Sequence, residues 1–202
     1  MNKKGSIFII SGPSGSGKDT VLSGVFKKCP DMEFSISCTT RNMRAGEKAD
    51  EKYHFISKDE FDGMLSRDEL LEHNIFVNSC YGTPRLPVER CVNSGKDILI
   101  EVDVNGAAQI RKKAPDAISV FIMPPSLEAL KARLSGRGTE SAQAVHDRLS
   151  AALGEIARAG EYDYIIVNDV LEKAVDDFVA VIKSEGIRAE KQEYLINKIL
   201  NG

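Results

Sequence analysis

Cysteine is scarce and scattered. Cys29, Cys38, Cys80 and Cys91 form no CxxC pair, so neither a zinc site nor a disulfide framework is expected. The three histidines, His54, His73 and His146, have no metal-ligand spacing, and no catalytic role is assigned to them. Long apolar runs are missing too. The N-terminal "MNKKGSIFII" has two lysines before an apolar stretch, but that stretch stops after four residues at a glycine-rich loop. A signal peptide or a membrane span needs a longer one. No internal repeat or low-complexity tract is visible, and no sign of charge dominates: 27 Lys and Arg stand against 30 Asp and Glu, a net charge of -3. That balance argues against bulk nucleic-acid binding, yet a few arginines suffice to hold a compact polyanion. The expectations are a cytoplasmic location with no nucleic-acid and no membrane partner; oligomeric state has no signature in the chain.

What is present is an ordered alternation. At 202 residues and 42% hydrophobic content, the length fits one domain, or one core carrying small inserts. "SIFII" reads as a buried strand, and "DTVLSGVFKKC" as a helix with Val21, Leu22, Val25 and Phe26 at helical spacing, ended by Pro30. "EFSISCTTR" reads as an extended segment leaving the core. From Asn42 to Asp97 the chain changes character. "RNMRAGEKADEKYHF" is polar and turn-rich, "SKDEFDGMLSRDELLEH" reads as a short helix with an acidic start, and "NSCYGTP" leads into another helix, "RLPVERCVNSG". Strand-type runs return at "KDILIEVDV", "AISVFIMPPS" and "YIIVND", separated by helical stretches. "VLEKAVDDFVAVIKSEGIR" is a further helix, and "AEKQEYLINKIL" either extends it or forms a small separate one. Buried strands alternating with helices predict a three-layer α/β domain with a mostly parallel central sheet.

The stretch "SGPSGSGKDTV" carries the first chemistry. Gly12 to Lys18 matches GxxxxGK, preceded by a strand and followed by a helix, the context that gives a phosphate-loop match its meaning. The glycines let the backbone wrap closely around phosphate oxygens. Successive N–H groups and the helix N-terminus form an anion cradle, and Lys18 adds a point charge where charge moves in phosphoryl transfer. The next position normally holds a hydroxyl that ligates Mg²⁺; here it is Asp19, with Thr20 one place late. Three readings stay open. Asp19 holds the metal as a hard oxygen ligand, or it is a helix-start residue with the ion held by water and Thr20, or the loop has lost catalysis.

The remaining motifs carry a resemblance. "FSISCTTRNMRAGE", "YHFISKDEF", "ELLEH", "YGTP", "ILIEVDVNG", "VFIMPPS", "RLSGRGTES", Arg148–Leu149 and "YDYIIVND" follow in the order and roughly the spacing of guanylate kinases, so the chain from Ser6 to about Ile187 resembles that family. The resemblance implies a P-loop NTPase fold: a core at 1–41 and 98–190, an inserted GMP-binding lobe at 42–97, a helical lid at 133–148 within the core, and a helical tail at 191–202. It also implies ATP and GMP as ligands, with Mg²⁺ accompanying ATP.

Residue by residue, Ser37, Arg41, Arg44, Tyr53 and Tyr81 look like the clamp on the GMP phosphate. Arginine forks suit a dianion, and tyrosine hydroxyls donate from the side. Glu72, at the end of the stretch read as helical, and Thr83 look like the guanine readers. Glu101 and Asp103, at i and i+2 in a strand and so on one side of it, are expected near Mg²⁺ or the guanine and ribose. Gly12, Pro13, Ser14, Gly15, Ser16, Gly17, Lys18, Asp19 and Thr20 look like the ATP phosphate site, with Asp19 and Thr20 toward the metal. Arg133, Arg137 and Arg148 look like the arginines that approach the ATP phosphates, and Asn168 sits in a motif near adenine. Lys18, Arg41, Arg137 and Arg148 form the catalytic set. The chain departs from the family pattern at Asp19, where Ser is expected, and also at Asn105, Cys80 and His73. The implied reaction is phosphorylation of GMP, with dGMP expected as a second acceptor. Two rivals remain: a kinase for another nucleoside monophosphate, and a guanylate-kinase-like module that binds phosphopeptides.

Overall fold

The computed structural model describes residues 4–135 and 142–201. In chain order the strands are β1 (Ile7–Ser11), β2 (Glu33–Phe34), β3 (Ser37–Thr39), β4 (Tyr53–Phe55), β5 (Leu70–Phe76), β6 (Ser79–Pro84), β7 (Ile98–Glu101), β8 (Ile118–Met123) and β9 (Tyr164–Val167). The α-helices are α1 (Lys18–Lys28), α2 (Lys58–Ser66), α3 (Arg85–Asn93), α4 (Val104–Lys113), α5 (Leu127–Ser135), α6 (Ala142–Ile156), α7 (Leu171–Gly186) and α8 (Glu193–Leu200). A five-stranded sheet has the order β2-β7-β1-β8-β9, with β2–β7 and β8–β9 parallel; a four-stranded sheet has the order β4-β3-β6-β5. The fold is therefore α/β with a mostly parallel central sheet, as the alternation of runs predicts. Among the described residues no helix is long and apolar enough to cross a membrane.

Packing divides the described residues into two compact units. One comprises Ile10–Pro30 and the described residues from Ser119 onward. Here α1 lies against α7 with little room: a Cβ on Gly24 would stand 2.5 Å from Val175 Cγ2. Leu130 and Leu134 of α5 and Ala152 of α6 form a buried cluster. Asp163, just before β9, accepts from the N–H and hydroxyl of Ser119 on β8 at 2.8 and 2.7 Å, which ties the entrance of β9 to its neighbour. The tail resolves the choice left open by its sequence. After a 3₁₀ turn at Ala189–Gln192, α8 is a separate short helix.

The other unit comprises Lys4–Ile9 and Asp31–Ile118 and contains the whole four-stranded sheet. One face of that sheet packs Cys38, Leu70 and Cys80 against Phe61 of α2, all buried. Burial pushes the Cys38 thiol up to about 11, so it stays protonated and unreactive near neutral pH. The sequence reading of "SKDEFDGMLSRDELLEH" as one helix is corrected. The helix starts as expected, with Ser57 capping the Glu60 N–H at 3.1 Å, but it ends at Ser66. Asp68 then takes a left-handed conformation at φ 52°, and Leu70–Phe76 is a strand. Pairing with β6 overrides the helical propensity of "DELLEH". The far end of the hairpin turns through Val77 and Asn78, both at positive φ (46° and 62°), which matches the twist of a tight hairpin. From α4, Lys113 Nζ donates to the Leu70 carbonyl at 2.7 Å, while Gln109 bonds both backbone groups of His73 at 2.9 and 3.1 Å. Side chains thereby satisfy an edge strand that would otherwise expose its polar backbone.

Candidate functional site

In the first unit the turn from β1 to α1 forms the glycine loop. Gly12, Gly15 and Gly17 have φ of 151°, 84° and 86°. The two lower values are left-handed conformations that side-chain-bearing residues rarely adopt. Ser16 N–H donates to the Pro13 carbonyl at 3.0 Å, and Lys18 Nζ reaches back across the loop to the Gly12 carbonyl at 2.5 Å. α1 begins immediately after Gly17, so its N-terminus completes the concavity. Arg148 on α6 donates to Ser14 Oγ at 2.9 Å. Arg133 on α5 donates to the carbonyls of Asn168 and Ser16 at 2.9 and 3.4 Å. Asn168 itself is buried and donates to the Ser16 carbonyl at 2.7 Å. Arg137 lies outside the described residues. Asp19 and Thr20 carry exposed side chains on the first turn of α1.

In the second unit a cavity of about 310 Å³ is lined by Ser37, Tyr53, Glu72, Tyr81, Glu101 and Asp103, joined by Asn74, Phe76 and Val102. Sheet alternation explains the grouping. Glu72, Asn74 and Phe76 fall at i, i+2 and i+4 of β5. By the same period Leu70 would share their face, yet it sits in the core cluster. The register shifts between Leu70 and Glu72, and this irregularity turns the strand so that Leu70 enters the core and Glu72 the cavity.

Glu72 is 5% exposed and accepts from Thr83 Oγ1 at 2.7 Å, with Thr83 fully buried. Gly106 leaves space for it, since a Cβ there would stand 3.0 Å from Glu72 Oε2. Burial raises the Glu72 carboxyl to about 7; the nearby Asp103 charge adds to the rise, and the Thr83 bond partly offsets it. A carboxyl raised in the folded chain contributes stability that is fully present below its unfolded value near 4.5 and is lost as pH rises through about 7. Glu72→Gln removes that dependence. We expect the variant to gain stability relative to the unaltered chain by about 3 kcal/mol between pH 4.5 and pH 8. Denaturant unfolding of the two proteins at both pH values checks it, and a constant difference would contradict the buried-carboxylate account.

Asp103 differs from its sequence-based placement. It does not continue the strand beside Glu101, because β7 ends at Glu101 and Asp103 is the N-cap of α4, accepting from the N–H groups of Asn105 and Gly106 at 2.9 and 2.7 Å. An aspartate before a helix takes this place because its carboxylate satisfies otherwise unpaired N–H groups. Both carboxylates still line the same cavity. Asn74, unremarked in the sequence reading, donates to Asp103 Oδ2 at 2.5 Å. No motif marks Asn74 or Phe76; only the correct strand assignment, with its period of two from Glu72, would have found them.

Tyr53 and Tyr81 meet edge to face with ring centroids 5.8 Å apart. Burial raises the Tyr53 hydroxyl above its ordinary value, with Tyr81 and Glu101 adding to the effect. Arg41 lies over the Tyr53 and Phe55 rings at 5.0 and 5.3 Å and forms a two-pronged pair with Glu47, both contacts 2.7 Å. The Arg41 guanidinium, helped by the Arg44 N–H, holds Glu47 down at about 2. The Arg44 residue is exposed on the same turn. Ser37, Arg41, Tyr53, Glu72, Tyr81, Thr83, Glu101 and Asp103 are thus gathered in one unit, as Gly12 to Thr20, Arg133, Arg148 and Asn168 are in the other.

A strand, a glycine loop leading into the start of a helix, and a mostly parallel sheet mark a P-loop nucleotide-binding protein. The guanylate kinase family model matches residues 4–185. The chain is 42% identical over 200 residues to a guanylate kinase of Oceanobacillus iheyensis, covering 99% of this chain and 97% of that one. It is 43% identical to one of Lactobacillus johnsonii, covering 95% and 94%. The crystal structure of guanylate kinase from Anaplasma phagocytophilum superposes with a TM-score of 0.73 at 30% identity, covering 96% of each chain. The chain belongs to the guanylate kinase family.

Proposed function

We propose that this protein transfers the γ-phosphoryl group of ATP to GMP, giving ADP and GDP. The observation that carries the reading is the pairing of an intact phosphate loop with a cavity whose buried acceptor, Glu72, is backed by Thr83. Guanine presents N1–H and an exocyclic amine side by side, and a carboxylate accepts from both; adenine lacks this donor pair. The phosphate of GMP would lie toward Ser37, Tyr53 and Tyr81, with Arg41 and Arg44 supplying cationic donors. Arg41 would exchange its Glu47 partner for, or share it with, the incoming dianion. Glu101 and Asp103 would face the guanine and ribose.

A GMP phosphate oxygen attacks the γ-phosphorus in line, the bond to the β,γ-bridging oxygen breaks, and the electron pair leaves with ADP. No dedicated base is needed, because the monophosphate is already largely ionised near neutral pH; catalysis rests on positioning and charge stabilisation. Gly12 to Gly17 would hold the ATP phosphates, Lys18 the bridging region, and Arg148, with Arg137, the transferring group. The residue ranges of core (1–41 and 98–190), inserted lobe (42–97), lid (133–148) and tail (191–202) belong to this proposal, as does a cytoplasmic location.

Among the described residues no group of three His, Cys, Asp or Glu forms a metal cage. A nucleotide-borne Mg²⁺ needs few protein ligands, and the hard oxygens of Asp19 and Thr20 on the first turn of α1 suit it. Bound there with ATP, the ion would neutralise phosphate charge. Without it, the Asp19 carboxylate repels a polyphosphate. Asp19→Asn is therefore expected to weaken the dependence of ATP affinity on Mg²⁺, while Asp19→Ser keeps turnover or raises it. ATP titrations across Mg²⁺ concentrations check this for the three proteins. Superimposed curves would place Asp19 away from the ion and leave Thr20 and water to hold it.

The reaction itself is tested with γ-labelled ATP and GMP. Label should appear in GDP and not in free phosphate. A chain that binds a phosphoserine peptide and transfers no label would be the interaction module instead.

A further inference from the structure

Asn168 reaches the phosphate loop from the end of β9. Its backbone N–H is anchored to the Met123 carbonyl on β8 at 2.8 Å, and its side-chain amide lies against the Ser16–Gly17 peptide. Contact is so close that a Cβ on Gly17 would stand 2.4 Å from Asn168 Nδ2. A carbonyl only accepts, so the NH₂ end of the amide must face Ser16. Arg133 closes the arrangement by donating to the Asn168 carbonyl at 2.9 Å and more weakly to that of Ser16 at 3.4 Å. Ser16 is fully buried, so its carbonyl would be costly to leave unpaired.

We propose that Asn168, steadied by Arg133, is a positioning residue that sets the direction of the Gly17 N–H in the phosphate loop, a role separate from any contact with adenine. The peptide between Ser16 and Gly17 is planar, so its C=O and N–H point opposite ways. Drawing the Ser16 carbonyl toward Asn168 turns the Gly17 N–H to the other side, away from the buried amide. Gly17, at φ 86° and directly before α1, is where the glycine loop passes into the helix N-terminus, and one misdirected N–H there removes a donor from the anion cradle. The loop is thus oriented before nucleotide arrives, which lowers the cost of binding.

The role rests on Gly12–Lys18 being the ATP phosphate loop, and the probes separate the two ideas. Dissociation constants of ATP, inorganic tripolyphosphate and GMP are measured by calorimetry for the unaltered protein, Asn168→Ala and Asn168→Leu; the leucine keeps the side-chain volume should alanine leave a cavity that unfolds the chain. Tripolyphosphate and ATP should weaken by the same factor, about tenfold for one lost hydrogen bond, with GMP binding unchanged. Weakened ATP with unchanged tripolyphosphate would make Asn168 an adenine contact and overturn the proposal. Unchanged affinity for both, or equal loss for GMP, would overturn it too. Failure of the unaltered protein to bind either polyphosphate would instead overturn the reading of the loop.

Discussion

Lys18→Met will lower kcat by about a hundred- to a thousandfold, the effect of removing one preorganised charge stabiliser from a transition state, and will leave GMP affinity little changed. The reason is the place of the ammonium group. Lys18 Nζ is held against the Gly12 carbonyl at 2.5 Å, which places it over the loop. Methionine keeps most of the stem and its packing but carries no charge. Binding of ATP falls less than turnover, because the loop N–H groups still hold the phosphates while the charge developing at the bridging oxygen has lost its counter-ion. Steady-state kinetics with saturating GMP, together with direct ATP binding, checks the split. Equal losses in ATP affinity and in kcat/KM with kcat preserved would mean that Lys18 serves ground-state binding alone.

Glu72→Ala will cost about 2–4 kcal/mol of transition-state stabilisation with GMP, the range for truncating a charged hydrogen-bond partner, and leave ATP affinity unaltered. Three features make the loss large. The carboxylate is 5% exposed, so water replaces it poorly. Thr83 Oγ1, fully buried, loses its acceptor. Guanine's two donors lose theirs. Burial also raises the carboxyl to about 7, so GMP capture should weaken as pH falls below about 7. Glu72→Gln should lack that component, while the titration of the GMP phosphate stays common to both proteins. Kinetics with GMP across pH for the three proteins gives the whole comparison. Undiminished kcat/KM for GMP in Glu72→Ala would remove Glu72 from base recognition.

Legibility in the sequence followed the range of the forces involved. The glycine loop and α1 were readable because a short local pattern, strand then glycines then amphipathic helix, determines them. The buried strands β7 and β8 were readable because continuous apolar runs of that length mark fully covered strands; β9 carries a similar run, but at the sheet edge it buries only Ile166 and leaves Ile165 and Val167 exposed. β5 was not, because "DELLEH" has helical composition and becomes a strand only through pairing with β6, a long-range effect that propensity does not report. Misreading β5 hid Asn74 and Phe76, which share a face with Glu72 only at strand period. Asp103 lines the same cavity as Glu101, yet it does so as the cap of α4 and not as a strand residue, which depends on where β7 stops, and boundaries are the least local feature of a strand. The tie between Asn168 and Ser16 joins residues 152 positions apart, beyond the reach of any local pattern.

The central claim is base-selective phosphoryl transfer, and the most direct measurement is ADP release with Mg²⁺, ATP and each of GMP, dGMP, AMP, CMP and UMP in turn. The account predicts rapid ADP formation with GMP, activity with dGMP, and little above the acceptor-free rate with AMP, CMP or UMP. Equal turnover of AMP and GMP, or no turnover of GMP at any Mg²⁺ concentration, would contradict it.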